Sequence, residues 1–405
     1  MRINTGILRI SLATAAVGAA GLLLAGDWPQ WRGEHRDGIS TETGLLQQWP
    51  AGGPKVIWKI NGLGEGYSAF AISKGKLFTQ GQRSGQQFVM AFDVATGKKL
   101  WETASSGNFP QDRGNGPRGT PTLDGTRIYA ESGDGELLCL DQATGKLVWK
   151  LSLTKEFGGN IPHWGYSESP LVDGNLLIVT PGGRGASVVG LDKNTGKTIW
   201  KAQNDSAGYS SPIAIDAGPH QVVVFTAKGV MGLFGKTGEL LWRYDRVANG
   251  TANIATPIFH DGHLFVSSAY GTGCALLKID DGKATEVYFN RDMKNHYSSS
   301  VLVGDYLYGY SDAILTAMKL KTGEVAWRSR NVAKGSVAYA DGKLYVLGED
   351  GTVALVEATP SAYKEISRFD IQKGSLPAWT PPVISGGRLY LRDQDNLTSY
   401  DIKEK

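Results

Sequence analysis

Between Trp58 and Phe369 the chain repeats one pattern eight times, in which a short apolar stretch and a polar turn lead into a second stretch that ends on an aromatic residue. The clearest copies are residues 91–101 (AFDVATGKKLW), 139–149 (CLDQATGKLVW) and 190–200 (GLDKNTGKTIW), with further copies ending at Trp242 and Trp327. In all five the Thr-Gly pair stands at one fixed distance ahead of the tryptophan, which predicts a hairpin of constant geometry. Two copies are looser. Asp281-Gly282 leads to Tyr288, and residues 357–360 lead through a longer loop to Phe369.

The aromatic positions 58, 101, 149, 200, 242, 288, 327 and 369 cover 311 residues in seven steps. The mean step of roughly 44 residues is the length of a four-stranded propeller blade. Ser/Thr-Pro strands (Thr120-Pro121, Ser169-Pro170, Ser211-Pro212, Thr256-Pro257) and Asp-Gly turns (124, 173, 261, 341) recur between the aromatics. The reading is an all-β, eight-bladed β-propeller over residues 55–405. Its last blade is completed by pairing residues 56–60 with 397–401, which removes the open sheet edges. Helical periodicity is sparse, and the 54 glycines suit a chain of many turns.

Residues 1–26 place Arg2 and Arg9 before an apolar run of 16 residues, 10–25, the layout of a signal peptide and short for a membrane span. A periplasmic or secreted protein is expected, without a membrane anchor unless the signal stays uncleaved. Loss of those residues takes two arginines and no acid, so the formal charge falls from +3 to +1, and no nucleic-acid partner is expected. Cys139 and Cys274 fall three blades apart and read as buried apolar residues. Residues 27–54, with Trp28, Trp31 and Trp49, read as a strap laid on the ring, with a partner-docking peptide as the rival.

These repeats, together with the opening DWPQWRG at 27–33, YSESP at 166–170 and RDQD at 392–395, resemble the exported pyrroloquinoline quinone (PQQ) propellers. That resemblance implies one of two classes: quinoprotein alcohol dehydrogenases, or cofactor-free scaffolds similar to BamB. The dehydrogenases carry adjacent cysteines over PQQ and a Glu/Asn/Asp set for Ca²⁺; this chain has no Cys-Cys pair, although Glu168, Asn253 and Asn295 could be recruited. The expectation is therefore a monomeric, non-catalytic scaffold that binds a protein or cell-envelope component through one face, with no metal and no cofactor. PQQ with Ca²⁺ belongs to the enzyme alternative, and a propeller binding a small ligand or sugar is a third possibility.

The repeat tryptophans 58, 101, 149, 200, 242 and 327 are expected to be structural. Partner binding is placed at the channel mouth, where the segments leading into the innermost strands carry Arg113, Arg118, His163, Trp164, Glu168, Tyr209, Asn253, His296, Tyr297, Lys334 and Trp379. Aromatic rings supply rigid contact area there, and the basic groups supply orientation.

Overall fold

The computed structural model describes residues 26–404, so the leader expected over residues 1–26 lies, Gly26 apart, outside the described residues. Eight four-stranded antiparallel sheets form the blades. They comprise residues 71–106, 122–152, 171–202, 213–244, 258–290, 301–329 and 335–370, and the eighth joins 383–401 to the N-terminal strand Lys55–Ile60. That strand pairs antiparallel with Asn396–Asp401, Trp58 opposite Ser399 and Ile60 opposite Leu397.

The core is divided into eight apolar clusters, each lying between two consecutive blades. The cluster at the closure joins Tyr390 and Leu397 of the eighth blade to Phe70 and Leu77 beside and within the first. The other seven carry the same contact around the ring. Blade-to-blade burial therefore supplies most of the hydrophobic stabilisation, and no blade is complete without its neighbours.

Where the second strand of the blade carries a ring, the repeat tryptophan is held twice. Within its own blade it lies against a ring on the second strand: Trp58 on Tyr390, Trp101 on Phe78, Trp149 on Tyr129 and Trp327 on Tyr308, with centroids 5.9–6.1 Å apart. Across the blade boundary its polar atom donates to a hairpin carbonyl of the next blade, Trp58 to Val94 at 2.9 Å, Trp149 to Lys193 at 3.1 Å and Trp327 to Thr359 at 2.8 Å. Tyr288 makes the equivalent bond to the Leu320 carbonyl. Trp242 departs from the rule and donates to Gln221 of its own blade.

In the seventh blade the strand register corrects the reading of Phe369. The residue opposite Leu355 is Ser367, the place filled by Trp327 opposite Ala317 one blade earlier, and Phe369 lies two residues further on. The strap fills the gap. Trp49 is 3% exposed, its backbone N–H donates to Ser367 Oγ at 3.0 Å, and its ring lies 5.9 Å from Tyr345. Tyr345 is the counterpart of Tyr308, so Trp49 stands in space where the seventh repeat tryptophan is missing from the sequence.

The rest of the strap is tied down as well. Trp28 exchanges backbone hydrogen bonds with Ile72 and is buried between the eighth and first blades.

Candidate functional site

The Ser/Thr-Pro strands begin at the central channel, and their hydroxyls link one blade to the next. The backbone N–H of Ala69 donates to Thr120 Oγ1, that of Thr120 to Ser169 Oγ, and that of Ser169 to Ser211 Oγ, at 2.9–3.2 Å; Thr256 repeats the bond with Ser299. Small hydroxyl residues at these places let the innermost strands approach closely while satisfying their first N–H groups.

The strap crosses this channel. Arg36 donates to the carbonyls of Ser169, Pro170 and Pro212 at 2.5–3.0 Å, and Arg32 to those of Ser299 and Ser300 at 3.4 and 2.6 Å. Both guanidiniums are buried, 3% and 6% exposed. Trp31 immediately precedes Arg32 in the chain, and its indole N–H donates to Thr256 Oγ1 at 2.9 Å. With the strap across it, the channel becomes a cup.

That cup has a volume of about 510 Å³ and carries Trp31 in its wall. Around it runs a collar of rings from different blades: Tyr67 against Trp379 at 5.1 Å, Trp379 against Tyr297 at 5.3 Å, His296 against Tyr270 at 5.0 Å and Trp164 against Tyr209 at 5.8 Å. Hydrogen bonds fix the rings. Tyr67 donates to the Arg113 carbonyl, Trp379 to Glu349 Oε2 and Trp164 to Asp112 Oδ1. Arg118 stands 5.5 Å from the Tyr67 ring centroid and donates to the carbonyls of Gly114 and Gly116; Lys334 Nζ stands 5.5 Å from the Tyr297 ring centroid. Burial, reinforced by the Lys334 charge, pushes His296 down to about 4, so its imidazole is neutral at neutral pH.

Eight of the eleven channel-mouth residues read from the sequence line this cavity: Arg113, Arg118, Trp164, Tyr209, His296, Tyr297, Lys334 and Trp379. Three do not. His163 packs edge-on to Trp164 without lining the cup. Asn253 donates to the Thr226 carbonyl and holds the turn at Asn249. Glu168 is 2% exposed and accepts the N–H and hydroxyl of Thr180 at 2.5 Å.

Tyr67 was legible in principle, because Tyr-Ser recurs ahead of four innermost strands at 67–68, 166–167, 209–210 and 297–298. Tyr270 and Glu349 stand in turns between second and third strands, and Trp31 comes from the strap, so a reading confined to the lead-in segments misses all three.

Glu131, which carried no sequence signal, lies beside Glu168. Among the described residues its two carboxyl oxygens find no donor. Burial and the neighbouring Glu168 hold it well above the usual carboxylate range, and burial pushes Glu168 up to about 7 against the pull of Thr180 and Arg36. The pair keeps a proton at pH values where an exposed glutamate would lose it.

The residues available for Ca²⁺ do not assemble. Glu168 is turned to Thr180, Asn253 to Thr226 and Asn295 to the Tyr310 carbonyl, and among the described residues no three His, Cys, Asp or Glu side chains group as metal ligands. Cys139 and Cys274 are buried free thiols in the second and fifth blades.

The family model PQQ_2, described as outer membrane protein assembly factor BamB, matches residues 85–329. An outer membrane protein assembly factor BamB of Shewanella oneidensis is 23% identical over 255 residues, 59% of this chain and 63% of that protein. The dehydrogenase subunit of a quinone alcohol dehydrogenase of Gluconobacter oxydans is 26% identical over 198 residues, 44% of this chain and 25% of that protein. The chain thus spans less than two thirds of the length of these relatives. Among solved structures, BamB from Moraxella catarrhalis superposes with a TM-score of 0.65 at 17% identity, covering 86% of this chain and 99% of that one. Quinohemoprotein alcohol dehydrogenase from Comamonas testosteroni gives 0.67 at 14% identity, covering 94% and 81%. At such identities the structural likeness shows the shared propeller fold alone.

Proposed function

We propose, from the premise that this chain belongs to the family of the outer membrane protein assembly factor BamB, that it is an exported, non-catalytic scaffold that takes part in outer-membrane protein assembly by docking a protein at the mouth of its cup. The single observation behind this reading is the collar, in which rings and cations from most of the blades converge on one rim and are fixed by hydrogen bonds to their own neighbours. Preformed aromatic area with orienting charge is what a docking surface needs. The dehydrogenase reading is weaker because Glu168, Asn253 and Asn295 are each engaged elsewhere.

Photo-crosslinking in the native cell tests this, with a benzophenone amino acid at Arg113 or Tyr270 on the rim and at Lys98 on an outer hairpin as the control. Adducts with outer-membrane assembly proteins are expected from positions 113 and 270. Adducts only from position 98, or a protein retained in the cytoplasm, would overturn the proposal.

A further inference from the structure

The chemistry of the cup narrows what can dock there. Its walls present three cations, Arg113, Arg118 and Lys334, against one carboxylate, Glu349, which already accepts the indole N–H of Trp379 at 3.0 Å. Among the described residues neither Arg118 nor Lys334 forms an ion pair: Arg118 is turned to two backbone carbonyls, and the Lys334 ammonium faces the Tyr297 ring. Both are partly desolvated, so an incoming anion would meet them in a medium where charge pairs are stronger than in water. Arg113 stands 3.8 Å from the Asp112 carboxylate, so the charge left without an ion pair in the cup is that of Arg118 and Lys334.

The rings set the second requirement. Four neighbouring ring pairs in the collar stand 31–45° from one another and His296 stands at 86° to Tyr297, offering both faces and edges to the cavity. An aromatic side chain entering between them finds the offset and edge-to-face contacts such rings prefer. A cavity of about 510 Å³ has room for such a ring together with its flanking residues.

Resting on the docking reading above, we infer that the cup receives an extended acidic segment of its protein partner, with one aromatic side chain inserted into the collar and flanking carboxylates on Lys334 and Arg118.

Isothermal titration of the purified protein with capped pentapeptides tests this chemistry. The peptide Asp-Glu-Trp-Glu-Asp is expected to bind about tenfold more tightly than Asn-Gln-Trp-Gln-Asn and than Asp-Glu-Ala-Glu-Asp. Its affinity is expected to fall with added salt, and Lys334→Glu is expected to weaken it about tenfold while leaving the neutral peptide within about twofold. Arg113→Glu, at an exposed position, serves as the second variant should Lys334→Glu disturb the fold. Equal binding of the charged and neutral peptides overturns the inference, as does insensitivity to both variants. Binding of N-acetyltryptophan as tight as that of the peptide also overturns it, since the cup is then a small-ligand site. Rim crosslinks that persist without peptide binding sink this chemistry and leave the docking reading standing; loss of both removes the two together.

Discussion

Gly238, in the hairpin of the fourth blade, lies flat against the indole of Trp200 in the third, so that a Cβ on Gly238 would come within 2.5 Å of Trp200 Cε3. The same meeting recurs at Gly97 on Trp58, Gly145 on Trp101 and Gly196 on Trp149. The fixed spacing of Thr-Gly and tryptophan is therefore the trace of a contact between blades: one repeat supplies the ring and the next supplies the bare backbone beneath it.

Gly238→Ala should cost about 2–4 kcal/mol, because its φ of 74° strains any other residue and the added methyl overpacks the ring. Trp200→Ala should cost about 3–5 kcal/mol, the range for emptying a large aromatic site. The two are in contact, so the double variant should be less destabilised than the sum. Denaturant unfolding of the four proteins checks this, and strict additivity would show that the ring and the glycine do not meet.

Trp49→Ala should destabilise the propeller as a repeat tryptophan does, by about 3–5 kcal/mol, although residue 49 lies outside the repeats. Its ring rests on Tyr345 and, at 5.2 Å, on Phe369. A melting temperature unchanged from the wild type would return residues 27–54 to the role of a free docking peptide.

The ring was legible because each blade repeats the same local solution, and eight copies make even loose ones readable. Phe369 was misread for the same reason: spacing alone supplied an aromatic near the right place, while the true occupant is Trp49, 318 residues before Ser367 in sequence. Most of the cup's lining could be read from the segments entering the innermost strands. Its closure could not, since nothing in Arg32 or Arg36 announces that their partners are backbone carbonyls some 130–270 residues away. Glu168 looked like a rim carboxylate, and only the fold shows it turned inward to Thr180 and Glu131.

Removing residues 396–405 should unfold the whole propeller in one transition. Those residues supply the third strand of the eighth blade and the partner of Lys55–Ile60. Without them both the closure and the cluster on Tyr390 and Phe70 are lost. A truncated protein that melts like the full chain would refute closure by this strand.

Added PQQ and Ca²⁺ are expected neither to bind tightly nor to support dye-linked oxidation of alcohols, since Glu168, Asn253 and Asn295 hold other partners and there is no Cys-Cys pair. Spectral titration with the quinone checks this. Sub-micromolar binding with turnover would put the enzyme reading first.

The buried pair of Glu131 and Glu168 should give the protein an acid-side stability that a single substitution removes. Burial raises both carboxyls, Glu168 to about 7 and Glu131 well above its usual range, so the folded chain holds a proton that the unfolded chain, titrating near an ordinary glutamate, gives up. The stabilisation is complete below the unfolded value and is lost as pH rises through the folded one. Arg36 opposes the shift at Glu168, and the Tyr166 hydroxyl nearby stays neutral throughout because burial and the two glutamates raise it further. His296 acts in the opposite sense: pushed down to about 4, it costs stability as pH falls below the unfolded histidine value. Both proteins in a comparison of wild type with Glu131→Gln keep His296, so its effect cancels in the difference. Between pH 5 and 8 the wild type's melting temperature should fall relative to Glu131→Gln by about 2 °C or more. A difference that stays flat across that range would mean that the two carboxyls do not share a proton.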